Sequence, residues 1–280
     1  MSIIFIAGLT RSGTTFLQSQ LVRYENVVAL GEVIQTIQAI KNINIQPSKW
    51  KIKLGLKSEN YWTPKTYIEL IERVRKDIFW SDLENDIRTA RDIESAIELV
   101  YAKAEQVYPN HIIIDSSKNI ASLKYILNIN KFKGKVKVIM CIRDYRGWLY
   151  STKKHQRRAG IHQRSNLLEM YKWLYSNKKL LSFLDKNLAN NYKIISYDKL
   201  IFFFSKQISE LSDFCTLGKK SDLENMHKFH EILGSPTLKI NFDSNNLEYD
   251  SIWFSHVSSC FEWPVSNFNR KVYLQLSKNK

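Results

Sequence analysis

The chain has 280 residues, 44% hydrophobic and 25% charged, with nine glycines and five prolines. That is ample for a sizeable core, and it excludes a long flexible linker, a repeat array or a low-complexity chain. A net charge of +15 admits an anionic substrate, a polyanion or simply a lysine-rich solvated surface. The three cysteines, at 141, 215 and 260, are far apart and odd in number, which excludes a disulfide framework and a zinc site as expectations.

The first strand signal is the apolar run Ile3–Ala7. It runs into Gly8-Leu9-Thr10-Arg11-Ser12-Gly13-Thr14-Thr15, and helical periodicity follows over Thr15–Arg23. Glycines let such a turn present its N–H groups inward, and the helix behind adds its positive end. A nucleotide triphosphatase loop would carry lysine where Thr14 stands; here the cation is Arg11, inside the loop. Ser12, Thr14 and Thr15 supply hydroxyls, and a guanidinium forks two oxygens at once. A bare strand-to-helix turn would need none of these.

The second strand, Val27–Leu30, is followed by Gly31-Glu32. Ligands of open α/β sheets lie at the carboxyl ends of the strands, which makes Glu32 a candidate; the same acid would also suit the first turn of a helix. Residues 43–107 hold helical patterns without a strand and read as an inserted cap. They include Pro64–Trp80, with Thr63 as N-cap and Pro64 in the first turn, and Ile93–Val107. The cap aromatics Trp50, Tyr61, Trp62, Tyr67, Phe79 and Trp80 either line a carbohydrate or phenolic cleft or form the cap's own core.

The third strand, Ile112–Asp115, is followed by Ser116-Ser117-Lys118-Asn119 and a helix over Ile120–Asn128. An acid, two hydroxyls and a lysine thus stand at the crevice; alternatively Ser117 or Asn119 caps the helix and Lys118 is solvated. The fourth strand, Val136–Ile142, delivers Arg143 from a buried run, so its head needs an anion or a partner. Ser151 lies eight residues on, about two turns along a helix Trp148–Arg158, and Asp144 is placed to cap that helix. The basic run Lys153, Lys154, His155, Arg157, Arg158 continues it, facing an anionic ligand or complementing the helix dipole toward solvent. A helix Leu167–Leu188 and a strand Lys193–Ser196 come next. Tyr197 and Asp198 follow, with Tyr197 set to stack on a base or close the sheet, and a helix Leu200–Phe214 ends the regular pattern. Strands alternating with helices predict an α/β fold with a central, mostly parallel sheet flanked by helices. No secretory signal opens the chain, and its longest apolar run, Leu200–Phe204, is too short to span a bilayer, which points to a reducing, cytoplasmic setting.

Taken together these residues resemble the sulfotransferases that use 3′-phosphoadenosine 5′-phosphosulfate (PAPS). Their first loop, [KR]-S-G-T-[ST], is matched by Arg11-Ser12-Gly13-Thr14-Thr15, and their second motif by Arg143 and Ser151. The likeness is greatest to bacterial members with a DSSK segment and to the tyrosylprotein sulfotransferases, and it spans residue 1 to about 255. It implies a P-loop NTPase-like three-layer fold, a single domain over 1–280 with the cap at about 43–107, and no metal. It further implies that Arg11 to Thr15 grip the 5′-phosphosulfate and that Arg143 and Ser151 grip the 3′-phosphate. Glu32 would be the general base and Lys118 would assist the bridging oxygen. Tyr197 stands in a looser Tyr-Glu-[ED]-Leu match, and Ser235, in the stretch from His230 to Leu238, in a nucleotide-closing loop. Tyr145 departs from the family's proline, and the histidine base of cytosolic members has no counterpart, since His111 stands at the wrong end of its strand. The expected acceptor is a hydroxyl of a small molecule or glycan (sugar, phenol, lipid or tyrosine), with no nucleic acid partner. Two rivals are a P-loop kinase using ATP and Mg²⁺, with Asp115 on the metal, and a polyanion- or nucleic-acid-binding protein with a degenerate loop. A third is a sulfotransferase-fold protein that has lost activity.

Overall fold

The computed structural model describes residues 1–41, 64–158, 162–220, 229–233 and 273–275. Expectations for Trp50, Tyr61, Trp62, Thr63, Ser235 and Cys260 lie outside the described residues. The strands are β1 (Ser2–Gly8), β2 (Val27–Gly31), β3 (Ile112–Lys118), β4 (Val136–Ile142) and β5 (Tyr192–Ser196). They form one five-stranded, all-parallel sheet in the order β2-β3-β1-β4-β5. Every residue of β2 is buried, as is every residue of β1 after Ser2. Strands covered on both faces need continuous apolar runs, and that is how SIIFIAG and VKVIMCI read. In register, Val27 pairs with Ile112 and Ala29 with Ile114, while Val138 pairs with Tyr192 and Ile142 with Ser196.

The described helices are α1 (Thr14–Leu21), α2 (Val33–Ile40), α3 (Pro64–Lys76), α4 (Ile78–Thr89), α5 (Ile93–Val107), α6 (Ile120–Asn128), α7 (Tyr145–Arg158), α8 (Asn166–Leu188), α9 (Tyr197–Phe202) and α10 (Phe204–Cys215). Two single helices read from the sequence are each two. The Pro64–Trp80 pattern breaks at Asp77, which takes an extended conformation and accepts a hydrogen bond from Trp80 N at 3.1 Å, capping α4. The Leu200–Phe214 pattern breaks at Phe203 (φ −125°, ψ 44°), and α9 begins earlier, at Tyr197, capped by Ser196. β3 also runs further than Asp115, carrying Ser116, Ser117 and Lys118 inside the strand.

The described residues fall into two compact units. One takes Met1–Ile6, Thr15–Lys137 and the described part of Leu217–Ile240; the other takes Ala7–Thr14, Val138–Thr216 and the described part of Asn241–Lys280. In the first, α5 is capped by Asp92, whose carboxylate accepts from Ser95 N at 2.8 Å. It buries Ala96, Ile97, Val100, Tyr101 and Ala104, one stripe at helical spacing. Phe79 and Trp80 are buried, so these two aromatics are core rather than cleft. Trp80 Nε1 donates to His230 O at 2.8 Å, and the His230 ring lies between Asp77 at 3.1 Å and Tyr108 Oη at 2.6 Å. His230 N donates to Ala29 O, adding residues 229–230 beside β2. In the second unit, Tyr145, Trp148 and Trp173 pack as an aromatic cluster, with Trp148 and Trp173 almost fully buried. Cys141 and Cys215 are buried, and burial pushes the Cys141 thiol far up.

Candidate active site

The glycine loop starts where β1 ends. At Gly8 a side chain would meet Cys141 O at 2.5 Å, so only glycine lets the two strands approach here. Ser12 N donates to Leu9 O at 3.0 Å, which closes the turn. Arg11 takes a left-handed backbone, φ 76°, and Gly13 lies at φ 90°. A residue with a Cβ normally avoids that region, at a cost of about 1–3 kcal/mol, and such strain clusters at ligand sites. Ser12 is 1% exposed, yet neither its Oγ nor Arg11 Nε finds a hydrogen-bond partner among the described residues. Buried polar atoms without partners are costly unless something supplies the partner. Thr14 and Thr15 are buried at the start of α1.

Arg143 leaves β4 buried, and Trp173 Nε1 holds its carbonyl at 3.2 Å. Its guanidinium carbon lies 4.6 Å from the centre of the Tyr197 ring. The same ring lies against the loop: a Cβ on Gly13 would fall 2.2 Å from Tyr197 Cδ2. Tyr197 is therefore packed between loop and guanidinium, and its position comes from α9, not from the end of β5. α7 crosses the loop through Trp148, whose Nε1 donates to Thr10 O at 2.9 Å. Asp144 accepts from Arg146 N at 2.9 Å and from the Arg146 guanidinium, so it does cap α7. Ser151 is half-buried further along α7. Burial, then the guanidiniums of Arg143 and Arg158, push Arg11 below its ordinary value. Partial burial and Arg11 push His155 down. Of the basic run, then, Arg158 and His155 feel the loop arginine, while Lys153 Nζ is spent on Arg164 O and Lys154 lies near the Tyr150 ring.

In the other unit, Lys118 Nζ makes an ion pair and hydrogen bond with Glu32 Oε1. The side chains are 11% and 16% exposed. Lys118 also has a left-handed backbone, φ 69°. Glu32 stands at the N-cap position of α2 but makes no side-chain cap bond. Asn119, not Ser117, caps α6, accepting from Ser122 N at 2.9 Å. Asp115 is fully buried rather than open to the crevice. Its Oδ2 accepts from Tyr101 Oη at 2.7 Å, and its Oδ1 from Ser117 N at 2.7 Å and Ser117 Oγ at 2.5 Å. Burial lifts its pKa to about 6 against the lowering effect of those donors. A carboxylate so occupied is poorly placed to ligate Mg²⁺, which removes the acid the kinase reading needs. Tyr101, Trp148 and Trp173 have no motif to mark them; a helical stripe placing Tyr101 on the buried face of α5 is the one available signal, whereas Arg158 stands in the basic run.

The sequence profile of the sulfotransferase family matches residues 3–220. The chain belongs to the sulfotransferase family, and it is a sulfotransferase enzyme. Its fold is similar to the sulfotransferase domain from the Synechococcus PCC 7002 olefin synthase, with a TM-score of 0.59 and 16% identity over 97% of this chain and 94% of that one. It is similar also to the sulfotransferase domain from the curacin biosynthetic pathway, with a TM-score of 0.61 and 18% identity over 99% and 97% of the two chains. No curated protein matches the sequence. Among the described residues no helix is long and apolar enough to cross a membrane.

Proposed function

We propose that the sulfuryl donor is PAPS and the acceptor a hydroxyl of a sugar, phenol, lipid or tyrosine. The products are a sulfate ester and adenosine 3′,5′-bisphosphate (PAP). The acceptor oxygen forms a bond to sulfur as the bond from sulfur to the 5′-phosphate oxygen breaks, and the leaving phosphate keeps the electron pair. Glu32 takes the hydroxyl proton. Such general-base catalysis is worth about a hundred- to ten-thousand-fold. Arg11, Ser12, Gly13, Thr14 and Thr15 hold the phosphosulfate, Arg143 and Ser151 the 3′-phosphate, and Lys118 the bridging oxygen. Tyr197 braces the loop and Arg143, and Ser235 belongs to the nucleotide side. Attack is in line, with positioning and fixed charge supplying the rate, as in phosphoryl transfer. No metal takes part, because arginines and lysine carry the neutralising charge. The chain works as one domain, with the segment at about 43–107 as its cap, in the cytoplasm.

The observation that carries this reading is the loop itself. A strained Arg11, an orphaned Arg11 Nε and an orphaned, buried Ser12 Oγ make a donor set prepared for anionic oxygens. The guanidinium is pushed toward release of its proton by burial and two like charges, a tension that an anion relieves. Thermal unfolding with PAP, ATP–Mg²⁺ and ADP at fixed salt tests it. A ligand at a hundred times its dissociation constant adds about 2.7 kcal/mol of stability. PAP alone should give the large shift. A shift confined to ATP–Mg²⁺ would establish the kinase instead, and no shift with any nucleotide would remove the donor assignment.

A further inference from the structure

We infer that Asp115 is the positioning residue of the Glu32–Lys118 pair, acting on both members through the start of α2 and the end of β3. The inference rests on the reading of Glu32 as general base. A helix leaves its first N–H groups without intrahelical partners, and the residue at the N-cap position normally supplies one. Glu32 occupies that position on α2 and does not do so. The N–H groups are taken from the neighbouring strand instead: Val33 N bonds Asp115, and Ile34 N donates to Ser117 Oγ at 3.0 Å. Ser117 Oγ in turn donates to Asp115, and Gln35 Nε2 donates to Ser117 O at 2.8 Å. With its own helix already capped, the Glu32 carboxylate is released to meet Lys118.

The other half of the pair depends on the same carboxylate. Asp115 Oδ1 accepts from Ser117 N, and Asn119 N donates to Ser117 O at 2.8 Å. These two bonds bracket Lys118 and hold it in its left-handed conformation. Tyr101 Oη fixes the far oxygen of Asp115 from α5. One fully buried carboxylate therefore ties α5, β3 and the start of α2 together behind the pair, without touching either member's charged group in any bond described.

The test uses the whole protein and a readout that needs no acceptor. Trace acetylation with acetic anhydride, read by mass spectrometry, reports how open each lysine is. Lys118 should be labelled several-fold faster in Asp115→Asn than in the wild type, as in Glu32→Gln, while Lys131 is unchanged and PAP still binds. Hydrolysis of PAPS to PAP and sulfate, with water as the acceptor, should slow in Asp115→Asn, and should not slow further when that change is added to Glu32→Gln, because coupled sites are not additive. Wild-type labelling of Lys118 in Asp115→Asn, beside faster labelling in Glu32→Gln, overturns the positioning role; so does an additive loss in the double variant. Wild-type PAPS hydrolysis in Glu32→Gln overturns the base assignment instead. If Asp115→Asn unfolds, seen as faster labelling of Lys131 too, Tyr101→Phe carries the same comparison, with the same outcomes.

Discussion

Lys118 meets the Glu32 carboxylate across 86 residues of chain, one at the end of β3, the other at the start of α2. Both side chains are largely shielded, so the pair is neither a surface ion pair of little worth nor a fully dry one. Glu32→Gln keeps the shape and removes the proton acceptor. Turnover should fall by about a hundred- to ten-thousand-fold. PAP affinity, measured by calorimetry, should stay within error of the wild type. A Gln variant with near-normal turnover would take the base role away from Glu32.

Gly13 has no room for a side chain. An added methyl would lie 2.2 Å from Tyr197 Cδ2, on a backbone at φ 90°. Gly13→Ala should therefore lose PAP binding and cost about 1–3 kcal/mol of stability in thermal unfolding. Adding Tyr197→Ala removes the collision but not the strained φ, so stability should recover only in part. Full recovery would mean that the conformation of the loop carries no cost.

Much of the sheet was legible in the sequence, and the reason is physical. Strands buried on both faces need unbroken apolar runs, so β4 is bounded correctly at both ends by its sequence, as are α5 and α6 by their helical periodicity, with Asn119 among the caps the sequence offers for α6. What was not legible depends on partners far along the chain. Asp77 in a helical pattern looks like a surface acid, and only its bonds to Trp80 N and His230 make it a break. The polar tail of β3 looks like a loop, yet Ser117 and Asp115 are buried against Tyr101 and α2. Arg11 and Lys118 were visible as charges, but their left-handed backbones were not, because only surrounding structure imposes a conformation the residue itself disfavours.

Arg143→Ala should weaken PAP first and chemistry second. Hydrogen bonds to charged groups are worth about 1.5–3 kcal/mol, so affinity should drop by roughly ten- to a hundredfold. Arg143→Lys should not restore it, since an ammonium cannot fork two oxygens as the guanidinium over the Tyr197 ring can. Arg158 is exposed and acts on Arg11 only through space. Arg158→Ala should therefore cost less, and its cost should shrink as salt is raised. Calorimetry at low and high ionic strength separates the two. A loss at Arg158 that ignores salt would place it in direct contact with the nucleotide.

Acid should act on Asp115 in two opposed ways. Its pKa stands at about 6 in the fold, against an ordinary 3.8, chiefly because burial disfavours the charge. A carboxyl raised on folding contributes stability that is complete below the ordinary value and lost as pH rises through the folded one. Between about pH 4 and pH 6 the wild type should thus lose about 2 kcal/mol of stability relative to Asp115→Asn, out of a full effect of about 3 kcal/mol, since a tenfold change in proton affinity is worth about 1.4 kcal/mol. The ionised form is nevertheless the one that can accept from Val33 N, Ser117 and Tyr101 at once, so hydrolysis of PAPS to PAP and sulfate should rise over the same interval. Tyr101 stays protonated throughout, its own ionisation pushed far up by burial and by Asp115, and Lys118, paired with Glu32, ends the same strand. Urea unfolding of both proteins from pH 4 to pH 7 gives the difference directly. A flat difference would mean that the fold does not hold the Asp115 proton above its ordinary value.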